Sequence, residues 1–432
     1  MLTQLQAPPY DALAAHVGTG SDADADTTNA VRTIVEDVRR RGDDAVREHT
    51  KRLESADLAP GEWEVSRETR LAALGRVPRE VRAALEVAVA RVRAYHERQL
   101  SKGYLDRDAQ GNALGMRVVP LDRVGLYVPG GKASYPSTVV MNGVPAAVAG
   151  VREVVMTTPA GGMTDAVLAA AELAGVSRVF RIGGAQAIAA LAYGTATVPR
   201  VDKIVGPGNR FVTEAKRQVA GVVGIDMLAG PTEVLIIADD TADPRYVAAD
   251  MIAQAEHDED ATAWCVTTSA TLAGSLDAEL ARRASQSPRR SIVERSLAAH
   301  GVVVRVPDLD AAVEVANRRA PEHLELLVRD PWPLVDRIRH AGAVFVGGST
   351  PEPVGDYLAG PSHVLPTGGT ARYMSPLGVY DFVKRISVIS YSPARLAQDA
   401  PHIIALAEAE GLFGHAEAIR IRAEGEEGTG EG

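Results

Sequence analysis

The chain has 432 residues, with 46 Lys and Arg against 56 Asp and Glu, and a formal charge of −10. That length exceeds one ordinary core, since a prior of about 150 residues per domain predicts two or three, and the acidic balance argues against a nucleic-acid partner. The single cysteine, Cys265, excludes an internal disulfide framework and a Cys-rich zinc site, and no run approaches the ~20 uninterrupted apolar residues of a membrane span.

Residues 1–10 show no basic stretch leading into an apolar one, so no secretory signal is expected and the cytoplasm is the default location. The first hundred residues read as helical. Val31, Ile34, Val35 and Val38 recur at helical spacing, and Gly42 after Arg39, Arg40 and Arg41 marks a stop. A longer helical pattern runs from Pro78 to about Leu100 through Val81, Leu85, Ala88, Val92 and Tyr95, with proline suited to the first turn. Near residue 120 the texture changes. Short apolar runs at 124–128, 153–157, 178–182, 203–205 and 233–238 alternate with Ala-rich helical stretches, the signature of βα units and a parallel sheet. After a helical stretch over 246–257 the series resumes at 264–268, 302–306, 324–328 and 343–346. A Pro/Ser-containing approach at 391–401 reads as a linker to a helical appendage over 401–422. The last residues, 425–432, are Gly and Glu with one Thr; they have nothing to bury and are expected to be disordered. The pattern predicts an α/β protein of two incomplete Rossmann-like domains with parallel sheets, a helical N-terminal segment and a C-terminal appendage.

Ligands of open parallel sheets bind beyond the carboxyl ends of the strands. Three predicted ends are glycine-rich: Pro129-Gly130-Gly131, Gly183-Gly184-Ala185-Gln186 and Gly206-Pro207-Gly208-Asn209. Glycine admits a ligand close to the backbone, and a helix N-terminus offers free N–H groups to phosphate, so a dinucleotide could lie across these turns. No complete G-x-G-x-x-G is present, because Phe211 stands where the third glycine would be in the Gly206 turn. Tight turns of an ordinary α/β sheet account for the glycines equally well.

The residues able to carry chemistry are ambiguous one by one. Gln254 and His257 are three apart and share a helix face; they could be N/O metal ligands, or His257 could simply favour the negative end of an acidic helix. Asp356 and His363 lie in a long Gly/Pro-rich segment over 347–369, which is costly to order unless it does something, although Gly-Asp is also a common turn. His415, near Glu410, reads equally as a capping histidine. Glu322 and His323 follow Pro321, which fixes the turn. A carboxylate beside an imidazole suits successive proton transfers near neutral pH, yet a loop before an edge strand would look the same. Cys265 could be the thiolate of an aldehyde oxidation, but its run Trp264-Cys265-Val266-Thr267 reads as a buried strand, where a thiol is inert.

Taken together the segments resemble the histidinol dehydrogenase family, in order and spacing, from about residue 30 to 420. The carriers are Gly125-Leu126-Tyr127-Val128-Pro129-Gly130-Gly131, the run Gly183-Gly184-Ala185-Gln186 continuing through Ala192-Tyr193-Gly194-Thr195, Val205-Gly206-Pro207-Gly208-Asn209, Gln254-Ala255-Glu256-His257, Ala320-Pro321-Glu322-His323-Leu324-Glu325, Gly355-Asp356-Tyr357, Ser362-His363-Val364-Leu365-Pro366-Thr367, and Glu410-Gly411-Leu412 with His415. One block would be weak; the ordered set is specific.

The resemblance implies oxidation of L-histidinol to L-histidine through L-histidinal with two NAD⁺, at the end of histidine biosynthesis. It implies one Zn²⁺ per subunit on Gln254, His257, Asp356 and His415, with Glu322 and His323 catalytic. Tyr127, Gln186 and Asn209 fall at cofactor positions. Substrate positions are Thr232, Gln254, His257, His323, Asp356, Glu410 and His415, with Thr232 standing where the family usually has Ser. It implies a homodimer with shared sites, Glu410 and His415 coming from the partner, and neither nucleic acid nor membrane as partner. The domain plan is 121–238 for NAD, 1–120 packed with 239–385 as the domain carrying metal and catalytic residues, and 386–432 as an exchanged helical tail. The alternatives are a dehydrogenase of another amino alcohol, for which Glu410, His363 and Thr232 are the positions to watch, a zinc hydrolase, and a relative that only binds metabolite.

Overall fold

The computed structural model describes residues 2–14, 24–54, 56–130 and 134–424; Gly131 and the 425–432 tail lie outside the described residues. The chain divides into two units, Met1–Gln99 with Leu121–Phe382, and Leu100–Pro120 with Val383–Gly432.

The first unit holds two parallel sheets. In one, the strands Arg178–Phe180, Glu153–Thr157, Arg123–Tyr127, Lys203–Val205 and Gly224–Ile225 lie side by side in that order. Counted along the chain this is 3-2-1-4-5, the doubly wound order. The other sheet runs Thr3–Gln6, Gly301–Arg305, Thr262–Thr267, Glu233–Ala238, His323–Leu327, Ala343–Val346. Beyond its N-terminal edge strand it repeats the same 3-2-1-4-5 order. Parallel strands covered on both faces read as continuous apolar runs, and Glu233–Ala238 is buried along its whole length. Helices between the strands begin at side-chain caps, such as Thr164 on the Val167 N–H and Asp308 on the Ala311 N–H, which satisfy donors the first turn leaves open.

Four expectations need correction. The N-terminal segment is not all helical, because Thr3–Gln6 adds a strand in register with 302–305; its residues are mostly exposed and carry little strand signal of their own. The helices Ala25–Arg41 and Asp43–Glu54 do not pack with 239–385. Val31, Ile34, Val35, Val38 and Val46 share a core with Ile188, Leu191 and Val212 of the five-stranded sheet's helices. An apolar stripe announces that a face is buried, not against what. Glu233–Ala238, expected to close the 121–238 domain, is instead a central strand of the six-stranded sheet. The proposed linker at 391–401 is helix: Pro393–Ala409 starts from Ser392, whose side chain accepts the Arg395 N–H, with Pro393 in the first turn and Pro401 inside.

The second unit contains an antiparallel sheet that the sequence reading did not anticipate, in the order Val383–Ser390, Ala113–Pro120, Tyr104–Arg107. The helices Pro393–Ala409 and Phe413–Glu424 follow it. Among the described residues no helix is long and apolar enough to cross a membrane.

Candidate active site

Within the first unit the two sheets contribute opposite ends to one cleft of about 570 Å³. From the five-stranded sheet come the turns after two strands, with Pro129, Gly130, Pro207, Gly208 and Asn209. From the six-stranded sheet come residues at the amino ends of two neighbouring strands, Thr232 before Glu233–Ala238 and Glu322 with His323 at the start of His323–Leu327. That strand is interior, flanked by Glu233–Ala238 and Ala343–Val346, and not the edge strand considered above.

The turn leading into the pair is strained. Ala320, buried, has φ 51° and is the only non-glycine residue of positive φ among the described residues. That conformation costs an L-residue about 1–2 kcal/mol. It caps the helix Leu309–Arg319, whose last residue, Arg319, is buried in an ion pair with Glu233. The chain therefore leaves the helix at a fixed angle and delivers Pro321, Glu322 and His323 to the sheet.

His323 is 2% exposed, and its Nδ1 lies 3.1 Å from the Glu233 carbonyl oxygen. A carbonyl only accepts, so Nδ1 carries the proton. Nε2 then holds the lone pair, is buried, and has no hydrogen-bond partner. Burial lowers the imidazole to a pKa of about 4, which keeps it neutral and able to accept a proton near pH 7. The Glu322 carboxyl lies 3.7 Å from the same ring. Its Oε2 accepts from the Thr232 hydroxyl at 2.6 Å and from the Glu233 N–H at 3.0 Å. Burial nonetheless pushes Glu322 well above the usual carboxylate range.

The Thr232 hydroxyl also accepts from Gln254 Nε2 at 2.8 Å. That bond fixes the amide, and leaves the buried Oε1 of Gln254 without a partner. His257, Glu352 and Asp356 meet beside it, with one ligand atom from each within 4.8 Å of the others. Glu352 is buried at the start of the short helix Glu352–Tyr357, which also carries Asp356. Of these groups Glu352 is buried, Asp356 partly buried and His257 exposed, and an oxygen and nitrogen set of this kind suits a divalent cation such as zinc, cobalt or manganese. His363 sits next to this group, its Nδ1 3.9 Å from Asp356.

The structure thus gathers Thr232, Gln254, His257, Glu322, His323 and Asp356, with Asn209 across the cleft. Asn209 caps the helix Arg210–Val219 through the Phe211 and Val212 N–H groups. Tyr127 and Gln186 do not line this cleft. Both are buried at the next glycine turn, where the Tyr127 hydroxyl accepts from the Gly184 N–H. Glu410 and His415 belong to the second unit, exposed around the junction of its two helices. Sequence reasoning missed Glu352; its place four residues before Asp356 was the available signal, since such pairs share a helix face. Cys265 is fully buried in Thr262–Thr267, and burial pushes its thiol up to about 12, as the core reading expected.

Paired doubly wound sheets that bring glycine turns to face a proton-accepting imidazole mark the class as an α/β dehydrogenase. A profile of the family described as histidinol dehydrogenase matches residues 19–423. A histidinol dehydrogenase of Chromobacterium violaceum is 53% identical over 398 residues, covering 91% of this chain and 92% of its own. One from Aquifex aeolicus is 52% identical over 393 residues, with 91% and 92% covered. The crystal structure of histidinol dehydrogenase from Elizabethkingia anophelis superposes with a TM-score of 0.92 at 33% identity over 99% of both chains. The chain belongs to the histidinol dehydrogenase family and is an oxidoreductase.

Proposed function

We propose that the protein oxidises L-histidinol to L-histidine through L-histidinal, with two NAD⁺, in the cytoplasm as the end of histidine biosynthesis. The observation that carries this reading is His323, a residue of the cleft lining whose Nδ1–H is committed to the Glu233 carbonyl while its buried Nε2 has no partner. Nε2 accepts the hydroxyl proton of the alcohol, and NAD⁺ supplies the hydride acceptor. Histidinal must take up water before a second hydride can leave. Glu322, adjacent and held by Thr232 and the Glu233 N–H, removes the proton from that water; burial makes it, once ionised, a stronger base than an exposed carboxylate. Gln254, His257 and Asp356, with His415 of the partner subunit, would hold one zinc, which supplies a positioning template for the substrate's amine and imidazole. The orphaned Gln254 Oε1 and the His257, Glu352 and Asp356 cluster support that fit. No thiol takes part.

The sites are shared in a homodimer, with Glu410 and His415 crossing to the partner. The exposed Leu406, Leu412 and Phe413, on the same helical pair as these residues, support a covered surface there. The deciding experiment is NADH formation from L-histidinol, with and without a chelator. No absorbance rise from zinc-replete protein overturns the reading and favours hydrolysis; activity untouched by full metal removal overturns the role of zinc.

A further inference from the structure

The strand Glu233–Ala238 opens on a residue that serves both members of the catalytic pair. The Glu233 N–H donates to Glu322 Oε2 at 3.0 Å, and the Glu233 carbonyl oxygen lies 3.1 Å from His323 Nδ1. Both groups flank a single α-carbon, so one backbone position orients the carboxyl and the imidazole together. The reaction proposed above needs Nε2 of His323 free to accept a proton, and that requires the proton on Nδ1 to stay where this carbonyl holds it.

The Glu233 side chain is 2% exposed and does not line the cleft. Its two carboxylate oxygens are committed to other segments. Oε2 pairs with the Arg319 guanidinium, and Oε1 accepts from the Gly368 N–H at 2.8 Å. Arg319 ends the helix Leu309–Arg319, one position before the left-handed Ala320 turn that delivers Glu322 and His323. Its guanidinium is buried against the Trp264 ring, 5.5 Å from the centroid. Gly368 follows Thr367, a residue of the cleft lining whose hydroxyl accepts from the Gly230 N–H at 2.6 Å. The carboxylate thus joins three segments: its own strand, the end of the helix before the catalytic pair, and the turn at 367–369. A buried ion pair is a weak device for stability, since apolar residues of similar volume often do as well or better. What the guanidinium and carboxylate add is direction, because their planar groups meet in a narrow set of geometries.

We propose that Glu233 is a positioning residue for the reaction, its carboxylate fixing Arg319 and the Gly368 turn so that its own carbonyl keeps the His323 proton on Nδ1. This rests on the role of His323 proposed above.

The test compares zinc-replete wild type, Glu233→Gln and the double variant Glu233→Gln/Arg319→Met. The single variant leaves Arg319 buried without a counter-charge and can fail to fold; the double variant leaves no charge uncompensated. In protein labelled with 15N-histidine, His323 is assigned by its loss in His323→Gln. Wild type should show His323 protonated on Nδ1, and the double variant should show a mixture of tautomers. The kcat of the double variant should fall about tenfold to a hundredfold, the scale of a misplaced catalytic group, with the KM for NAD⁺ unchanged. A folded double variant with the wild-type tautomer and full kcat overturns the proposal and leaves the pair a merely structural clamp. So does a loss of kcat with the tautomer intact, and so does a wild-type His323 protonated on Nε2, a result that needs no variant to fold. Wild-type protein that forms no NADH from histidinol sinks the reaction instead, and the tautomer measurement, which needs no turnover, still decides the role of Glu233.

Discussion

The Thr232 hydroxyl ties the proposed metal site to the catalytic carboxyl, and its removal gives a calculable outcome. Thr232→Val keeps the shape and deletes two hydrogen bonds, 2.6 Å to Glu322 and 2.8 Å from Gln254. Glu322 retains the Glu233 N–H. Gln254, fully buried, bonds through its Nε2 only to Thr232 among the described residues and would face an apolar methyl. A buried donor left unsatisfied costs about 1–3 kcal/mol, and a lost bond to a carboxyl adds a similar amount, so Thr232→Val should destabilise the protein by about 2–6 kcal/mol. Thr232→Ser loses only a methyl, about 1 kcal/mol. An untethered Gln254 should also weaken zinc about ten- to a hundredfold, as removal of a ligand's supporting partner does. The Thr232 bond lowers the pKa of Glu322 against burial. Its loss therefore raises that pKa further, and the acid limb of aldehyde oxidation moves to higher pH. Chelator competition, denaturation and pH–rate profiles of both variants read these effects. Wild-type zinc affinity in Thr232→Val, or equal damage from Ser and Val, would refute the reasoning.

Glu322→Gln should slow oxidation of histidinal more than oxidation of histidinol, and equal losses in stopped-flow half-reactions would remove its special role in hydration. His323→Ala should impair both, because the unpartnered Nε2 is lost from each proton transfer. Cys265, with its thiol pushed up to about 12, carries only about one thiolate in ten thousand at pH 8. Iodoacetamide should leave it unlabelled in native protein and label it after unfolding, and Cys265→Ser should stay active; rapid native labelling contradicts its burial. Mixing Glu322→Gln with His415→Asn subunits should restore some activity through one whole hybrid site, and inert, verified heterodimers would undercut site sharing.

Much of the fold was legible in the chain. The strands 153–157, 203–205, 233–238 and 343–346 stand where the apolar runs placed them, because a strand buried on both faces admits little but Val, Ile, Leu and Ala. The helix of Val31, Ile34, Val35 and Val38 was equally plain. The ordered motifs, more than any one residue, carried the family. What local pattern could not supply was partnership. Thr3–Gln6 becomes a strand only because an open edge receives it, and the strand at 233–238 joins the second sheet through pairs with 262–267 and 323–327.

The site divides the same way. Sequence by itself determined which side chains are present, that proline fixes the approach to Glu322 and His323, and that the lone cysteine lies in a buried strand. Tertiary structure alone decided the tautomer of His323, the bridge from Thr232 to a carboxyl 90 positions away, the addition of Glu352 beside His257 and Asp356, and the carboxylate by which Glu233 joins Arg319 to the turn at Gly368. The physical reason is range: periodicity and capping act within a few residues, whereas hydrogen bonds that fix a proton or orient an amide join atoms that only the folded sheets bring within 3 Å or so of each other.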